Sequence, residues 1–210
     1  MDIVDPAVER YMRGLLTRWD EPVLLEMEAE AEARGFPIVG RQVGVTLELL
    51  ARSIGARRVV ELGSGFGYSG YWFSRAVGED GELHLTDGDA ENEPKAEEYL
   101  RRANLAGPVR YHVGDAVVSF EKLEGEFDVV YCDNDKQGYP DAWRAARDRI
   151  RPGGLYLCDN VLWSGRVTEP SPDPMTSAIL EHNAMIADDE RYLSTIVPTR
   201  DGVMAALRER

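Results

Sequence analysis

The sequence predicts an α/β protein: a mostly parallel, doubly wound sheet of seven strands, with extra helices ahead of it and an antiparallel hairpin at its end. Three observations carry that expectation. From residue 58 to residue 158, short apolar runs alternate with amphipathic stretches long enough to be crossover helices, the pattern of parallel βαβ units. The last two strand-like runs, residues 191–197 and 203–207, are joined only by Pro198-Thr199-Arg200-Asp201-Gly202. That link is too short for a parallel crossover, so the two runs must pair antiparallel. Finally, the first apolar run passes straight into a glycine-rich turn, Gly63 to Gly70, that opens a helix.

Taken in order, Asp5-Pro6 opens a first helix, and Asp20 with Pro22 opens a second that Gly35 ends. A short acceptor side chain caps a helix start, and proline suits its first turn. A third helical pattern covers residues 40–54. Strands are expected at Arg58–Leu62, 83–86, Val109–Val113, Phe127–Cys132 and 155–158. Helices are expected between them at Tyr68–Val77, 93–104, 117–123 and 139–150, the last closed by Pro152-Gly153-Gly154. At 210 residues and 23.5 kDa the chain fits one domain, residues 1–210, in which 1–55 supply the N-terminal helices and 56–210 the α/β core. No repeat or linker divides it.

Composition narrows the partners. With 24 basic against 38 acidic residues the formal charge is −14, which disfavours a groove for phosphate backbone and hence nucleic acid. No stretch is long and apolar enough to cross a bilayer, and residues 1–19 hold acids rather than an apolar leader core, so a cytoplasmic location is expected. The two cysteines, Cys132 and Cys158, each sit in a strand-like run and are expected to be reduced, packed thiols.

The glycine turn invites two readings. Gly65-Phe66-Gly67-Tyr68-Ser69-Gly70 matches the G-x-G-x-x-G dinucleotide fingerprint, with Asp87 placed as a ribose acid, so an NAD-dependent oxidoreductase is one alternative. The first glycine after the strand, however, is Gly63, which sets the fingerprint glycines two residues late. A parallel sheet finished by an antiparallel hairpin is instead the Rossmann-like plan of class I methyltransferases. S-adenosylmethionine carries a sulfonium, an amino-acid tail and two ribose hydroxyls, which acids at strand ends suit. Asp87 would accept from the ribose hydroxyls, with Asp89 as the alternative. Glu61 would lie near the cofactor's charged end, and Asp115, in Gly114-Asp115-Ala116, near the adenine edge.

A second cluster follows two later strands: Asp133-Asn134-Asp135-Lys136 and Asp159-Asn160. In an open α/β sheet the ligand crevice lies at the carboxyl ends of the strands, so these groups converge beside the glycine turn. Two carboxylates and an amide oxygen suit Mg²⁺, Mn²⁺ or Ca²⁺ better than Zn²⁺. The plainer alternative is that they cap turns.

With these motifs the chain resembles the cation-dependent O-methyltransferases that include catechol and caffeoyl-CoA methyltransferases and small bacterial relatives. The resemblance rests on Pro37-Ile38-Val39-Gly40, Val60-Glu61-Leu62-Gly63, Gly67-Tyr68-Ser69, Asp133 through Lys136, Asp159-Asn160-Val161-Leu162-Trp163-Ser164-Gly165-Arg166-Val167, and Asp201-Gly202. It implies Asp133, Asp159 and Asn160 as metal ligands and Lys136 as catalytic base. It also implies Val39, Glu61, Gly63, Ser64, Ser69, Asp87, Asp115 and Ala116 around S-adenosyl-L-methionine. Asp133, Lys136, Asn160 and Trp163 would meet a small hydroxylated aromatic with vicinal hydroxyls, and a homodimer is expected as in relatives. Other readings are a transfer-RNA hydroxyuridine methyltransferase of the same fold, which the charge disfavours, and a cofactor-binding protein without catalysis. Departures from the family pattern are Asn134 in place of a small residue, Gly65 in place of a bulkier one, and the acidic loop from Gly88 to Pro94. His84, His112 and His182 show no ligand spacing, and Trp72 and Phe73 are expected to pack.

Overall fold

The strands are β1 (Arg58–Leu62), β2 (Glu82–Asp87), β3 (Val109–Val113), β4 (Phe127–Cys132), β5 (Ile150–Cys158), β6 (Tyr192–Val197) and β7 (Val203–Arg208). In the computed structural model, which describes residues 3–107 and 109–209, they form one sheet in the order β3-β2-β1-β4-β5-β7-β6. Residues 1 and 210, the limits of the expected domain, lie outside the described residues. Strand β7 runs antiparallel to both β5 and β6, and every other pairing is parallel. The expected sheet plan, hairpin included, is the one observed.

Side chains alternate across each strand, and the two faces bury separate apolar layers. Val59, Leu83, Val129, Tyr131 and Leu157 pack toward α2 (Pro22–Arg34), α3 (Gly40–Ser53) and α4 (Tyr68–Val77), among Leu24, Leu47, Trp72 and Phe73. Their neighbours Val60, Val130, Tyr156 and Cys158 face α6 (Ala116–Glu121), α7 (Tyr139–Ala146) and α8 (Pro174–Ala187), among Phe120, Trp143 and Ile179. Trp72 and Phe73 are packing residues, as expected, and Gly44 lets α3 approach α4, because a Cβ there would sit 2.2 Å from the Trp72 ring nitrogen. The remaining helices are α1 (Pro6–Gly14), capped by Asp5, and α5 (Asn92–Arg102). No helix among the described residues is long and apolar enough to cross a membrane.

Three local expectations are corrected. The second helix is not capped by Asp20: Glu21 stands at its N-cap without a side-chain bond, and Asp20 pairs with Arg41 after a 3₁₀ turn at Thr17–Trp19. Helix α7 stops at Ala146, and Pro152-Gly153-Gly154 lies inside β5 rather than closing a helix. There the chain bulges, since Phe127 pairs with Ile150 while Val129 already pairs with Leu155. The bond from Phe127 N to Arg149 O (2.8 Å) and the Arg151–Asp128 pair draw this segment into the sheet. Helix α8, unassigned by sequence, starts at Asp173, whose carboxylate accepts from Met175 N and Thr176 N at 2.9 and 3.2 Å.

Strand order reverses between β1 and β4, where a crevice opens at the carboxyl ends. The register aligns Leu62 with Cys132 and Cys132 with Cys158, so Gly63, Asp133 and Asp159 emerge side by side. Asp133 N donates to Leu62 O (2.8 Å) and Asp159 N to Cys132 O (3.1 Å), which continues the ladder one step into the site.

Candidate active site

The crevice is a cavity of about 1190 Å³ floored by the glycine turn and the ends of β4 and β5, and walled by Phe36–Val39 and the β6–β7 hairpin. Every expected site residue lines it except Glu61, which lies beneath the floor and is reached through Ser69.

One half of the cavity is built from backbone. Gly63 has φ +89°, and a Cβ there would lie 2.6 Å from Asp133 O, so only glycine lets β1 turn this close to β4. Gly63 N and Ser64 N both donate to Thr86 O, at 3.0 and 2.8 Å, which holds the turn against β2. Asp87 accepts from Gly65 N (2.9 Å), Asp89 N (2.9 Å) and the Asn92 amide (3.0 Å), so its carboxylate is fixed by protein donors. Asp87 lines the cavity, while Asp89 turns to Glu91 N. Asp115 is the N-cap of α6, accepting from Val118 N at 2.9 Å, and it also lines the cavity with Ala116. The departure at Gly65 has a physical reason, because the Phe36 ring occupies the space a Cβ would need, 2.8 Å away. Glu61 accepts from the Ser69 hydroxyl, and its second oxygen is buried without a partner. Burial, against the lowering by Ser69, pushes this carboxyl up to about 8.

The other half is built from charge. Asp133 accepts from Lys136 Nζ at 2.9 Å, and burial nonetheless raises its pKa. Asp159 is 3 % exposed; one oxygen accepts from the Asn160 amide at 3.2 Å, and the other is buried without a partner among the described residues. Burial first and the Asp133 charge second push Asp159 up to about 8. No three His, Cys, Asp or Glu side chains among the described residues group as a metal site, so the donor set is two carboxylates and an amide. An orphaned buried oxygen between a second carboxylate and an amide is a hard-oxygen set, and these are the atoms that could hold a divalent cation.

Lys136 Nζ also donates to the Tyr139 hydroxyl (2.7 Å) and to Asn134 O (3.4 Å). Tyr139 in turn donates to Asp159 O at 2.8 Å. Burial pulls the Lys136 ammonium down, but Asp133 outweighs it and its pKa stands above the ordinary lysine value. Trp163 lines the cavity 6.0 Å from Lys136 Nζ. It belongs to a strained segment in which Asn160, Trp163 and Ser164 have φ +58°, +48° and +53°. The Asp201-Gly202 pair pins that segment: Leu162 N donates to Asp201 O (2.9 Å), Val161 N to Gly202 O (3.1 Å), and Ser164 N to the Asp201 carboxylate. Two motifs far apart in sequence are thus one structural unit.

Sequence reasoning missed Tyr139 and Arg200. Tyr139 follows Lys136 by three residues, a helical spacing that signals contact; Arg200 precedes Asp201 in the hairpin link and carried no signal beyond that position. The histidines, scattered in sequence, are partly united: His84 Nδ1 and His112 Nε2 lie 2.9 Å apart across β2 and β3, outside the cavity. His182, on the buried face of α8, meets Tyr156, and Cys132 and Cys158 are buried free thiols.

Comparison with known proteins agrees with this architecture. A family model described as O-methyltransferase matches residues 21–209. A catechol O-methyltransferase from Niastella koreensis is 32% identical over 198 residues, covering 91% of this chain and 89% of that protein. The crystal structure of the O-methyltransferase TomG from Streptomyces achromogenes, in complex with SAM, superposes with a TM-score of 0.88 at 30% identity, covering 97% of this chain and 96% of the other. The O-methyltransferase from Bacillus cereus, in complex with SAH, gives 0.87 at 28% identity, with 97% of each chain covered. The G-x-G-x-x-G match is therefore a coincidence of a glycine-rich turn. On a Rossmann-like class I methyltransferase fold, with a family match that spans both halves of the cavity, the chain belongs to the O-methyltransferase family.

Proposed function

We propose that this chain moves the methyl group of S-adenosylmethionine to one hydroxyl of a small aromatic vicinal diol, assisted by a divalent cation. The supporting observation is the buried Asp159 oxygen without a partner, beside Asp133 and Asn160 and next to a backbone-built cofactor cradle. Methyl transfer from a sulfonium needs an oxygen nucleophile held in line with the methyl carbon, and a neutral phenol is a poor one at neutral pH. Held by Asp133, Asp159 and Asn160, Mg²⁺, Mn²⁺ or Ca²⁺ would act as a Lewis acid that eases ionisation of the acceptor hydroxyl. Lys136 takes the hydroxyl proton; the oxygen–carbon bond forms as the carbon–sulfur bond breaks, leaving S-adenosylhomocysteine. Lys136 is a cation beside Asp133, the carboxylate within 4.0 Å of it among the described residues, so sharing Asp133 with a metal would weaken the support for its charge and free the amine as base. Tyr139 holds Lys136 at the site from the other side.

On the donor side, Glu61, Ser69 and the turn at Gly63 and Ser64 would surround the amino-acid end of the cofactor, with Val39 above them. Asp87 would take the ribose, and Asp115 with Ala116 the adenine. Trp163 would lie along the acceptor ring. A hydroxylated uridine in transfer RNA is disfavoured as acceptor, because Glu9, Glu28, Glu32 and Asp201 also line the cavity and would repel phosphate. The reading includes a homodimer: α1 exposes Val8 and Tyr11, its C-cap residue Leu15 is exposed beside them, and the helix buries none of its residues, so a second copy would cover that stripe, and sedimentation velocity tests it.

The test is methyl transfer to a panel of catechols with Mg²⁺ or with chelator. Product in Mg²⁺ and its loss with chelator is the expected result. Turnover indifferent to chelator overturns the metal, and an absence of S-adenosylmethionine binding in calorimetry overturns the whole reading.

A further inference from the structure

Among the described residues two cations line the cavity, Lys136 and Arg200. Lys136 is paired with Asp133. Arg200 has no carboxylate within 4.0 Å among the described residues, although acids surround it on the cavity wall. Its backbone sits at φ +50°, a left-handed conformation that is unfavourable for a non-glycine residue. The position lies in the hairpin link, and its side chain reaches over Gly40. One guanidinium nitrogen, Nη1, donates to Ile38 O (2.9 Å) and to Val39 O, so the head is anchored across the mouth of the cavity. The donors on Nε and Nη2 have no protein acceptor among the described residues. A guanidinium that keeps a fork of free donors over a cavity is built for a planar oxyanion.

We infer that Arg200 receives a carboxylate on the methyl acceptor, so that the site prefers aromatic vicinal diols bearing a ring carboxylate over neutral ones. This rests on the reading of the site as a catechol-type methyltransferase. The cofactor's own amino-acid carboxylate is the other source of the same chemistry. Placement favours the acceptor: Arg200 directly precedes Asp201, which accepts from Ser164 N beside Trp163, the side chain placed along the acceptor ring; its bond to Val39 O, over the donor end, is why the KM for S-adenosylmethionine is read as well. Without Arg200, the acids that line the cavity would repel an anionic acceptor. With it, a carboxylate gains a charge-assisted pair at one end while its diol meets Asp133, Asp159 and Asn160 at the other.

The experiment compares 3,4-dihydroxybenzoate with catechol in the parent, Arg200→Gln and Arg200→Gly. Glycine tolerates the backbone angle, so the last variant separates loss of charge from misfolding. Calorimetry with Mg²⁺ and S-adenosylhomocysteine reads acceptor affinity without turnover, and kcat/KM and the KM for S-adenosylmethionine are read separately. The parent is expected to prefer the carboxylated diol, and both variants to lose roughly ten- to hundredfold on it. Catechol affinity and the KM for S-adenosylmethionine should stay within about threefold of the parent's. A parent that binds the two diols equally, or binds neither, overturns the inference, as does a loss shared equally by catechol. A rise in the KM for S-adenosylmethionine instead assigns Arg200 to the cofactor carboxylate. Selective binding of the carboxylated diol without methyl transfer would uphold Arg200 and overturn the proposed reaction.

Discussion

Asp128 near the start of β4 and Asp133 just beyond its end share one strand, yet their surroundings drive them in opposite directions. Asp128 accepts from Arg57 N (2.8 Å), Arg58 N (2.7 Å) and the Arg151 guanidinium. Burial would raise its pKa, but those donors outweigh it and hold the carboxyl below its ordinary range. Asp133 meets one ammonium, shares its neighbourhood with Asp159, and is raised. At the amino end of the sheet acids and donors are matched, which is how a chain stabilises itself. At the carboxyl end acids outnumber donors, a cost that the proposed cation would offset.

The sharpest way to break this contrast is Asp159→Asn. It removes a buried carboxylate with an orphaned oxygen, and methyl transfer is expected to fall by at least about a thousandfold in saturating Mg²⁺. In the same variant, urea denaturation with chelator at pH 8 should show a gain of about 1–2 kcal/mol, because an uncompensated buried charge has gone. Loss of stability there would mean that Asp159 is a structural acid like Asp128.

Next in size is Lys136→Met, which keeps the apolar stem and deletes the amine. Turnover should drop by roughly a hundredfold or more, while S-adenosylhomocysteine affinity stays near the parent's. A fall in cofactor affinity with kcat intact would make Lys136 a structural partner of Asp133 rather than a base.

How much of this was legible follows from the range of the forces involved. Period, cap and turn chemistry are local, so the sheet plan, the glycine turn at Gly63 and the acids at strand ends Asp133 and Asp159 could be read along the chain. The long β5 could not, because Pro152-Gly153-Gly154 reads as a helix stop until Arg149 and Arg151 are seen tied to Phe127 and Asp128. The His84–His112 contact depends on the β2–β3 register. Arg200 became visible only when the hairpin carried it onto Ile38 and Val39, which lie 162 and 161 positions earlier in the chain. Tyr139 was within reach, since its spacing from Lys136 is helical, and only its identity as a core aromatic disguised it.

A smaller effect comes from Glu61, buried beneath the site. Its folded pKa of about 8 stands above the ordinary glutamate value, so the folded protein holds a proton that the unfolded chain releases near pH 4.5. Stability of the cofactor-free protein should therefore fall as the pH rises from about 4.5 to 8, by up to about 5 kcal/mol from this group, and then level. Glu61→Gln should remove that part of the slope in thermal scans across pH; an unchanged slope would place the titration on Asp159 instead.

The smallest effect tests the matched end of the strand. Asp128→Asn keeps an acceptor for Arg57 N or Arg58 N but loses the charge that Arg151 meets, so a cost of about 1–2 kcal/mol in urea at pH 7 is expected. Methyl transfer should stay within about twofold of the parent's, since Asp128 does not line the cavity. The pH dependence has the opposite sign to that of Glu61. A carboxyl whose folded pKa is lowered contributes stability that is complete above its unfolded value, about 4, and is lost as the pH falls through the folded one. Parent and variant should thus differ at pH 7 and converge in acid, once the pH has fallen through the lowered folded pKa. A difference that persists in acid would show that Asp128 acts by shape and neutral hydrogen bonding, and the contrast along β4 would then be one of geometry rather than of charge.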